Sequence, residues 1–164
     1  LGSGEIGAIS VGTPTPDNVI SGLEILDEDV TFTGHSAGIY INQDGSAAYR
    51  TESAFSVDVN FSSRELNIRT TGTTLIDLET NDPWIDNPPE LSMTGALSYD
   101  PGINDFSGDV FAAGIKTLEG QSTGQFYGPA AEELGGVFSL SDPEGTTLEF
   151  YSGAYGAAVQ PIVP

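Results

Sequence analysis

The feature that most constrains the fold is a two-residue alternation of apolar and polar side chains that recurs along most of the chain. In the stretch "AFSVDVNF", the apolar side chains on one face are Phe55, Val57, Val59 and Phe61. Successive side chains of a β-strand point to opposite faces, so this alternation indicates strands with one dry and one wet face. No apolar stripe with helical spacing reaches a useful length. The chain is therefore predicted to be all-β.

The alternating segments number about eight. By sequence number they span 31–42, 47–61, 64–71, 90–100, 105–115, 122–128, 134–141 and 147–157. Short joints such as "DPGIN" and "SDPEGT" separate most of them, and such joints connect antiparallel neighbours. Closing these strands into an eight-stranded antiparallel up-and-down β-barrel removes the exposed edges of an open sheet. A β-sandwich, which needs longer crossover connections, is the alternative.

The barrel prediction implies one shared interior, because an eight-stranded barrel is just wide enough to be filled by side chains or to hold one small ligand. The residues expected to point into it are Phe55, Val57, Val59, Phe61, Leu66, Ile68, Leu91, Met93, Leu97, Val110, Phe138, Leu140 and Phe150. Three parts of the chain follow from this pattern. They are an irregular N-terminal segment at 1–30, the barrel domain at 31–158 and an apolar C-terminal tail at 159–164.

Residues 124–140, "GQFYGPAAEELGGVFSL", form a distinctive hinge segment between two predicted strands. Phe126 and Tyr127 end the first strand, and Gly128 with Pro129 turns the chain. The letters "AAEEL" predict a single helical turn, which the following Gly-Gly pair stops before the next strand.

This hinge segment, followed by the closing strand "YSGAYGAAV", resembles the last barrel hairpin of the transferrin-binding protein B-like β-barrel domains of bacterial surface lipoproteins and their solute-binding relatives. A similarity of pattern extends back to about Thr31, through "GHSAGIYIN". The resemblance implies an eight-stranded barrel without enzymatic activity, carried on the surface of a Gram-negative bacterium or secreted. It also implies a protein, haem or another iron source as ligand. An outer-membrane translocator and, in some cases, a TonB-dependent receptor would be its partners.

Charge excludes several classes of partner. The chain has 24 acidic residues against 4 basic ones, a formal net charge of −20. Nucleic acid and anionic membrane surfaces are bound through Lys and Arg, which this chain lacks, so neither is expected as a partner. No segment is apolar over the length that a membrane-spanning helix requires. An extracellular or outer-membrane surface location is predicted, with the periplasm as the alternative.

Enzymatic chemistry is not predicted. The chain has no Cys and a single His, His35, so the usual nucleophile and base pairs cannot be assembled. No cofactor is predicted. The acidic clusters "LDEDV" and "DLETNDPWIDNPPE" lack the spacing of an EF-hand loop, and solvated acidic loops are the simpler interpretation. If a Ca²⁺ ion is held, its candidate ligands are Asp27, Asp29, Asp82 and Asp86.

The predicted binding surface centres on the long connection 72–89, because functional residues concentrate in loops on a rigid scaffold. This connection contains the only Trp, Trp84, followed by Ile85 and Asp86. We also assign Tyr127 of the hinge segment to the surface for a protein partner or small ligand. Trp84 either anchors a partner or plugs one barrel mouth. The alternative function is a structural or assembly subunit of a larger extracellular or membrane-associated complex, packed through its apolar termini.

We predict that haemin is not bound through His35. A lone His without a second ligand such as Cys, set in an acidic field that repels haem propionates, makes a weak site. Titration with haemin should give no Soret shift that differs between the wild type and His35→Ala. A shift seen in the wild type and lost in the variant would contradict this.

Overall fold

A computed structural model of the chain describes residues 12–25, 27 and 29–159. It contains one short helix, α1, and a closed barrel of eight antiparallel strands. The helix and strands are α1 Asp17–Leu23, β1 Asp29–Ile41, β2 Ala48–Asn60, β3 Glu65–Asp77, β4 Met93–Tyr99, β5 Asp105–Ala113, β6 Thr117–Tyr127, β7 Glu133–Ser141 and β8 Phe150–Val159. Each strand pairs with the next along the chain, and β8 pairs with β1. The barrel prediction is confirmed and the sandwich alternative is wrong.

Two strands are longer than the alternation predicted. β3 continues to Asp77 instead of ending near residue 71, and β6 begins at Thr117 instead of near residue 122. In β3 the added part includes the run "GTTL", whose threonines give no apolar alternation. It pairs with β2 after a register shift between Glu52 and Ala54, and such a bulge lets two strands stay paired through an irregular stretch. The connection to β4 is correspondingly shorter than predicted.

The barrel interior is the hydrophobic core. Every predicted interior residue is buried except Phe150, which is only half-buried. Phe150 begins β8, where Tyr151, Tyr155 and Ala157 face inward. Since side chains alternate along a strand, Phe150 has the opposite phase and lies on the outer face. The prediction for Phe150 was therefore wrong.

Phe126 is the centre of an aromatic cluster near one end of the barrel. Its ring lies 5.3 Å from Phe106, 5.4 Å from Phe61, 5.9 Å from Tyr99 and 6.3 Å from Phe32, measured between ring centroids. Tilted and edge-to-face contacts at these distances add to the stabilisation from apolar burial. The cluster joins side chains of β1, β4, β5 and β6 with the β2–β3 turn.

This end of the barrel, which we call the closed end, is covered by the N-terminal segment. Ile20 of α1 is fully buried in the core. The backbone before α1 pairs with the end of β6, with Thr15 N donating to Phe126 O at 3.0 Å. Gly102 N donates to Glu24 Oε1 at 2.8 Å. The part of the N-terminal segment from residue 12 is therefore ordered against the barrel, not merely irregular.

Helix α1 was not predicted from the sequence. It is seven residues long and buries a single residue, so it shows no apolar stripe with helical spacing. Residues 1–11 and 160–164 lie outside the described residues, and Val159 of the predicted tail belongs to β8. No helix in the described part of the chain is both long and apolar enough to cross a membrane.

The hinge segment contains no helical turn. The register that pairs Tyr127 with Glu133 leaves only residues 128–132 for the connection. Gly128 and Ala131 have φ angles of +88° and +57°, which end any right-handed helical path. Ala130 N donates to Glu132 Oε2 at 3.0 Å, so a side chain stabilises the turn instead.

Asn104 fastens the N-terminal segment to the barrel. It is buried, and its Nδ2 donates to Thr15 O at 2.8 Å and to Phe126 O at 3.0 Å. Its Oδ1 accepts from Phe126 N at 2.8 Å. One amide side chain therefore serves backbone groups of two segments that are far apart in sequence.

We predict that Asn104→Ala destabilises the protein by roughly 3 kcal/mol, because buried backbone groups lose their partners at a cost of about 1–3 kcal/mol each. Urea denaturation measures the change. The matched control is Asn67→Ala, at an exposed position of β3, which should change stability by less than about 0.5 kcal/mol. Equal effects of the two substitutions would contradict the role of Asn104.

Candidate functional site

The end of the barrel opposite α1, which we call the loop end, carries four connections. They are residues 42–47, 78–92, 114–116 and 142–149. Large apolar side chains are exposed in three of them. We define this set as the apolar rim: Leu78, Ile85, Ile115 and Leu148, with exposed fractions of 51%, 77%, 53% and 66%. The closed end exposes two further large apolar side chains, Ile25 and Ile103. Because contiguous exposed apolar surface marks interaction sites, the four side chains of the apolar rim make the loop end a candidate site.

Trp84 supports the longest of these connections. Its indole is half-buried and lies 4.8 Å from the ring of Tyr49, and it packs against the edge of the core. Trp84 N donates to Leu75 O at 3.0 Å, and Trp84 Nε1 donates to Asp86 O at 3.0 Å. These bonds fold the connection back onto β3. Ile85, next in the chain, is thereby held in solvent on an ordered loop.

The apolar rim is surrounded by carboxylates. The acidic residues of the β3 end and the following connection are Asp77, Glu79, Asp82, Asp86 and Glu90. Asp77 is held by backbone N–H groups of Thr80, at 3.0 Å, and Glu79, at 2.8 Å. These hydrogen bonds to the charged form lower the pKa of Asp77. The loop end is therefore negatively charged at neutral pH.

A buried carboxylate connects the β5–β6 turn to the barrel. Glu149 Oε1 accepts from Tyr40 Oη at 2.5 Å and from Ile115 N at 3.0 Å, and Glu149 Oε2 accepts from Lys116 N at 3.4 Å. Burial, followed by the hydrogen bond and charge of Glu149, raises the pKa of Tyr40 above its ordinary value. Tyr40 therefore stays protonated and donates. The contact fixes the backbone that presents Ile115.

A second carboxylate organises the β7–β8 connection. Asp142 Oδ2 accepts from the backbone N–H and the hydroxyl of both Thr146 and Thr147, at 2.9–3.1 Å. Asp142 Oδ1 accepts from Glu144 N at 3.0 Å. Lys116 Nζ lies 3.7 Å from Asp142 Oδ2 and donates to Thr146 Oγ1 at 2.6 Å. The turn and the connection that carry Ile115 and Leu148 are thus joined to each other.

The pKa of Asp142 reflects this network. Burial is the largest single influence and raises the pKa, as it does for any carboxyl group. The hydrogen bonds and the ammonium group of Lys116 together outweigh burial and hold the pKa well below its ordinary value. Asp142 is therefore a structural anion of the loop end.

The residues assigned to the binding surface from the sequence do not lie together. Trp84, Ile85 and Asp86 are at the loop end, whereas Tyr127 ends β6 at the closed end, where Pro14 pairs with it. The structure therefore places Tyr127 apart from Trp84, at the other end of the barrel. The reason is that β6 begins at the loop end, after the 114–116 turn, and ends at the closed end. His35 is exposed on the outer wall of β1.

The candidate Ca²⁺ ligands are separated in the same way. Asp27 and Asp29 lie at the closed end, where they accept from Ser62 Oγ and Asn60 Nδ2, each at 3.0 Å. Asp82 and Asp86 lie at the loop end. Within residues 12–25, 27 and 29–159, no group of three or more His, Cys, Asp or Glu side chains is placed to hold a metal ion. The four carboxylates cannot serve one ion.

Sequence reasoning missed three residues of the apolar rim: Leu78, Ile115 and Leu148. Ile115 and Leu148 fell inside predicted strands that the structure ends or begins elsewhere, at Ala113 and Phe150. The sequence signal that could have identified Ile115 and Leu148 was an apolar residue that follows a Gly or two Thr residues in a joint between strands. That signal is weak, since alternation alone assigns such a residue to a strand face.

Comparison with known families identifies the barrel. Residues 26–158 match the family model described as the C-lobe and N-lobe beta barrels of Tf-binding protein B. The chain belongs to this family. The match begins before β1 and ends one residue before the end of β8, and it confirms the resemblance seen in the hinge segment. A comparison with curated protein sequences gives no match.

Solved structures with the same fold include isotype 1 transferrin binding protein B from serogroup B Neisseria meningitidis, at 23% identity and a TM-score of 0.56, over 90% of this chain and 28% of that one. A single mutant of transferrin binding protein B from Haemophilus parasuis Hp5 gives 20% identity and a TM-score of 0.54, over 88% and 28%. A double mutant gives 22% and 0.53, over 88% and 27%. The chain spans less than a third of the length of these proteins.

We predict that Asp142→Asn lowers the melting temperature at neutral pH and that the loss shrinks in acid. A carboxyl group with a depressed pKa in the folded state stabilises the fold above its ordinary pKa of about 4, and this stabilisation is lost as the pH falls through the folded value. Thermal unfolding between pH 7 and pH 2 measures the difference. Glu144→Gln, at an exposed carboxylate, is the control and should have a small effect throughout. A pH-independent difference for Asp142→Asn would refute the assignment.

Proposed function

We propose that this protein is a non-enzymatic binding protein that recognises a protein partner through the loop end of its barrel. The observation that carries the proposal is the apolar rim, which lies on the barrel end that α1 does not cover. Hydrogen bonds hold each connection of the rim in place, so its side chains are presented on ordered backbone. A preorganised surface loses less conformational entropy on binding than a mobile one.

The negative charge of the loop end determines which kind of partner surface it can bind. Apolar side chains set among carboxylates fit a surface that carries apolar groups flanked by Lys or Arg. Such a pair associates faster at low ionic strength, because opposite charges steer the encounter and salt screens them. The partner surface is therefore basic around an apolar centre.

Family membership supports a partner and a location. The related structures are of proteins named transferrin binding protein B, so transferrin is the first partner to test for this chain. The resemblance also favours a position on the outer-membrane surface or outside the cell of a Gram-negative bacterium, with export by an outer-membrane translocator. Against catalysis stand the lack of Cys and the position of His35, which lies on the outer wall.

We predict that substitutions in the apolar rim and at Trp84 weaken binding without unfolding the barrel. Binding of the wild type to immobilised iron-loaded transferrin is compared with that of Trp84→Ala, Ile85→Ser and Leu148→Ser. A residue central to the contact should cost roughly 2 kcal/mol, about a 30-fold rise in Kd. The association rate should fall as salt rises. The control is Ile103→Ser, at an exposed apolar position of the closed end, which should bind as the wild type does.

Two results would count against the proposal. Loss of binding in Ile103→Ser with retention in the rim variants would place the contact at the closed end. An absence of binding by the wild type would exclude transferrin as the partner. Thermal unfolding accompanies each measurement, because a loss of about 3–5 kcal/mol in Trp84→Ala would identify Trp84 as a plug of the barrel mouth. Ile85 and Leu148, which are exposed, would then decide the role of the rim.

A further inference from the structure

The outer wall of the barrel is charged on one side and neutral on the other. Outward carboxylates such as Asp109 of β5 and Glu119 of β6 are exposed. By contrast, three adjacent strands contain no Asp, Glu, Lys or Arg over residues 134–141 of β7, 150–159 of β8 and 30–41 of β1. We call the outward side chains of these three ranges the neutral wall. The formal net charge of the chain is −20, so the neutral wall is where another acidic surface is repelled least.

The half of the neutral wall nearer the loop end is raised by three large apolar side chains. Ile41 of β1 lies opposite Phe150 of β8, and Ile39 is the next outward residue of β1. All three are half-buried, and they have the opposite phase to the inward residues Tyr40 and Tyr151. We call these three side chains the ridge. They have no polar side-chain atom, so covering their exposed parts is favourable.

The half of the neutral wall nearer the closed end is recessed. Gly156 of β8 lies between His35 of β1 and Gly135 of β7 in the strand pairing, so two neighbouring positions of this row have no side chain. A Cβ atom placed on Gly156 would meet nothing closer than the backbone oxygen of Leu134, at 4.0 Å. The recess has a volume of about 480 Å³ and is bordered by His35 and Ala158. We call this recess the hollow.

The ridge and the hollow lie on opposite sides of one row of small residues. In that row, Ala37 of β1 lies opposite Ala154 of β8. Phe150 of the ridge precedes Ala154 by as many residues as Ala158 of the hollow follows it. A two-fold axis that runs across the strands along this row therefore brings the ridge of one copy onto the hollow of a second copy. The interface is isologous, because the second ridge meets the first hollow by the same operation.

We propose that a second copy of this chain docks on the neutral wall in this antiparallel arrangement, with each ridge in the hollow of the other copy. Two observations select a second copy as the occupant. The neutral wall is complementary in shape to itself, and it offers no charge to the basic partner that the loop end attracts. The proposal does not depend on the function proposed for the loop end.

The expected dimer is weak. Strand residues are spaced by about 3.3 Å and neighbouring strands by about 4.8 Å, so roughly ten residues on three strands cover about 460 Å² of each copy. Standard interfaces bury about 800 Å² per partner. Because the two copies have the same net charge, salt strengthens the dimer by screening their repulsion. This salt effect has the opposite sign to the one expected for a basic partner at the loop end.

Sedimentation equilibrium of the wild-type chain tests whether the dimer forms. At protein concentrations up to about 1 mM, we expect a monomer–dimer equilibrium whose association constant rises roughly tenfold between about 20 and 500 mM NaCl. A monomer at every protein and salt concentration would overturn the proposal. An association that weakens as salt rises would also overturn it, since the contact would then be between opposite charges.

Crosslinking tests which surface the two copies share. The chain has no Cys, so Ala37→Cys places a single thiol on the two-fold axis, next to the same thiol of the second copy. A short bismaleimide should link this variant roughly tenfold faster than the control Ala96→Cys, because the thiols are held close together in the dimer. Ala96 is exposed on the outward face of β4, outside the neutral wall. Equal rates of crosslinking in the two variants would overturn the proposal.

A charge on the same row gives an independent readout. Ala37→Glu brings two carboxylates together at the axis, so it should lower the association constant roughly tenfold or more. Ala96→Glu adds the same charge outside the neutral wall and should keep the association constant close to that of the wild type. An equal loss of association in both variants would show that net charge alone controls the dimer, and the neutral wall would then be excluded as its interface.

Discussion

Closure of the sheet by the pairing of β8 with β1 is the constraint on which the rest of the structure depends. The pairing runs from Phe32 opposite Val159 to Ile41 opposite Phe150, so the first and last strands satisfy each other's backbone groups. A closed sheet has no edge to protect, and its inner faces share one interior of fixed width. Every connection must then emerge at one of the two ends. The position of each loop follows from its place in the order of strands.

The two ends of the barrel are covered in different ways. At the closed end, α1 and the backbone before it cover the aromatic cluster around Phe126, and Asn104 joins the two segments. At the loop end, hydrogen bonds from side chains of the connections hold the connections over the barrel mouth. Glu149 and Asp142 each accept several hydrogen bonds from backbone N–H and hydroxyl groups, and these bonds hold the turns in place. The side chains left over at the loop end are the apolar rim.

The barrel interior also contains polar side chains, besides its apolar core. Serine and threonine side chains are buried at inner positions of β1 and β2, and Tyr151 and Tyr155 of β8 are buried in the same interior. Tyr155 and Tyr40 find side-chain partners there, in Ser122 and Glu149. Hydrogen bonds between side chains therefore form part of the barrel interior, and removing one partner of such a bond lowers the stability of the protein.

The sequence by itself determined the fold class, the number of strands and nearly all of the core, because alternation is a local property that the pleat of a strand enforces. It also determined the family, through the hinge segment, and the acidic character of the loops. Tertiary structure decided what local patterns cannot encode. It separated Tyr127 from Trp84 by the whole barrel, turned Phe150 outward, continued β3 through a polar run and ordered the segment that contains α1. Each of these four features depends on contacts between residues that are distant in sequence, and only closure of the barrel fixes those contacts.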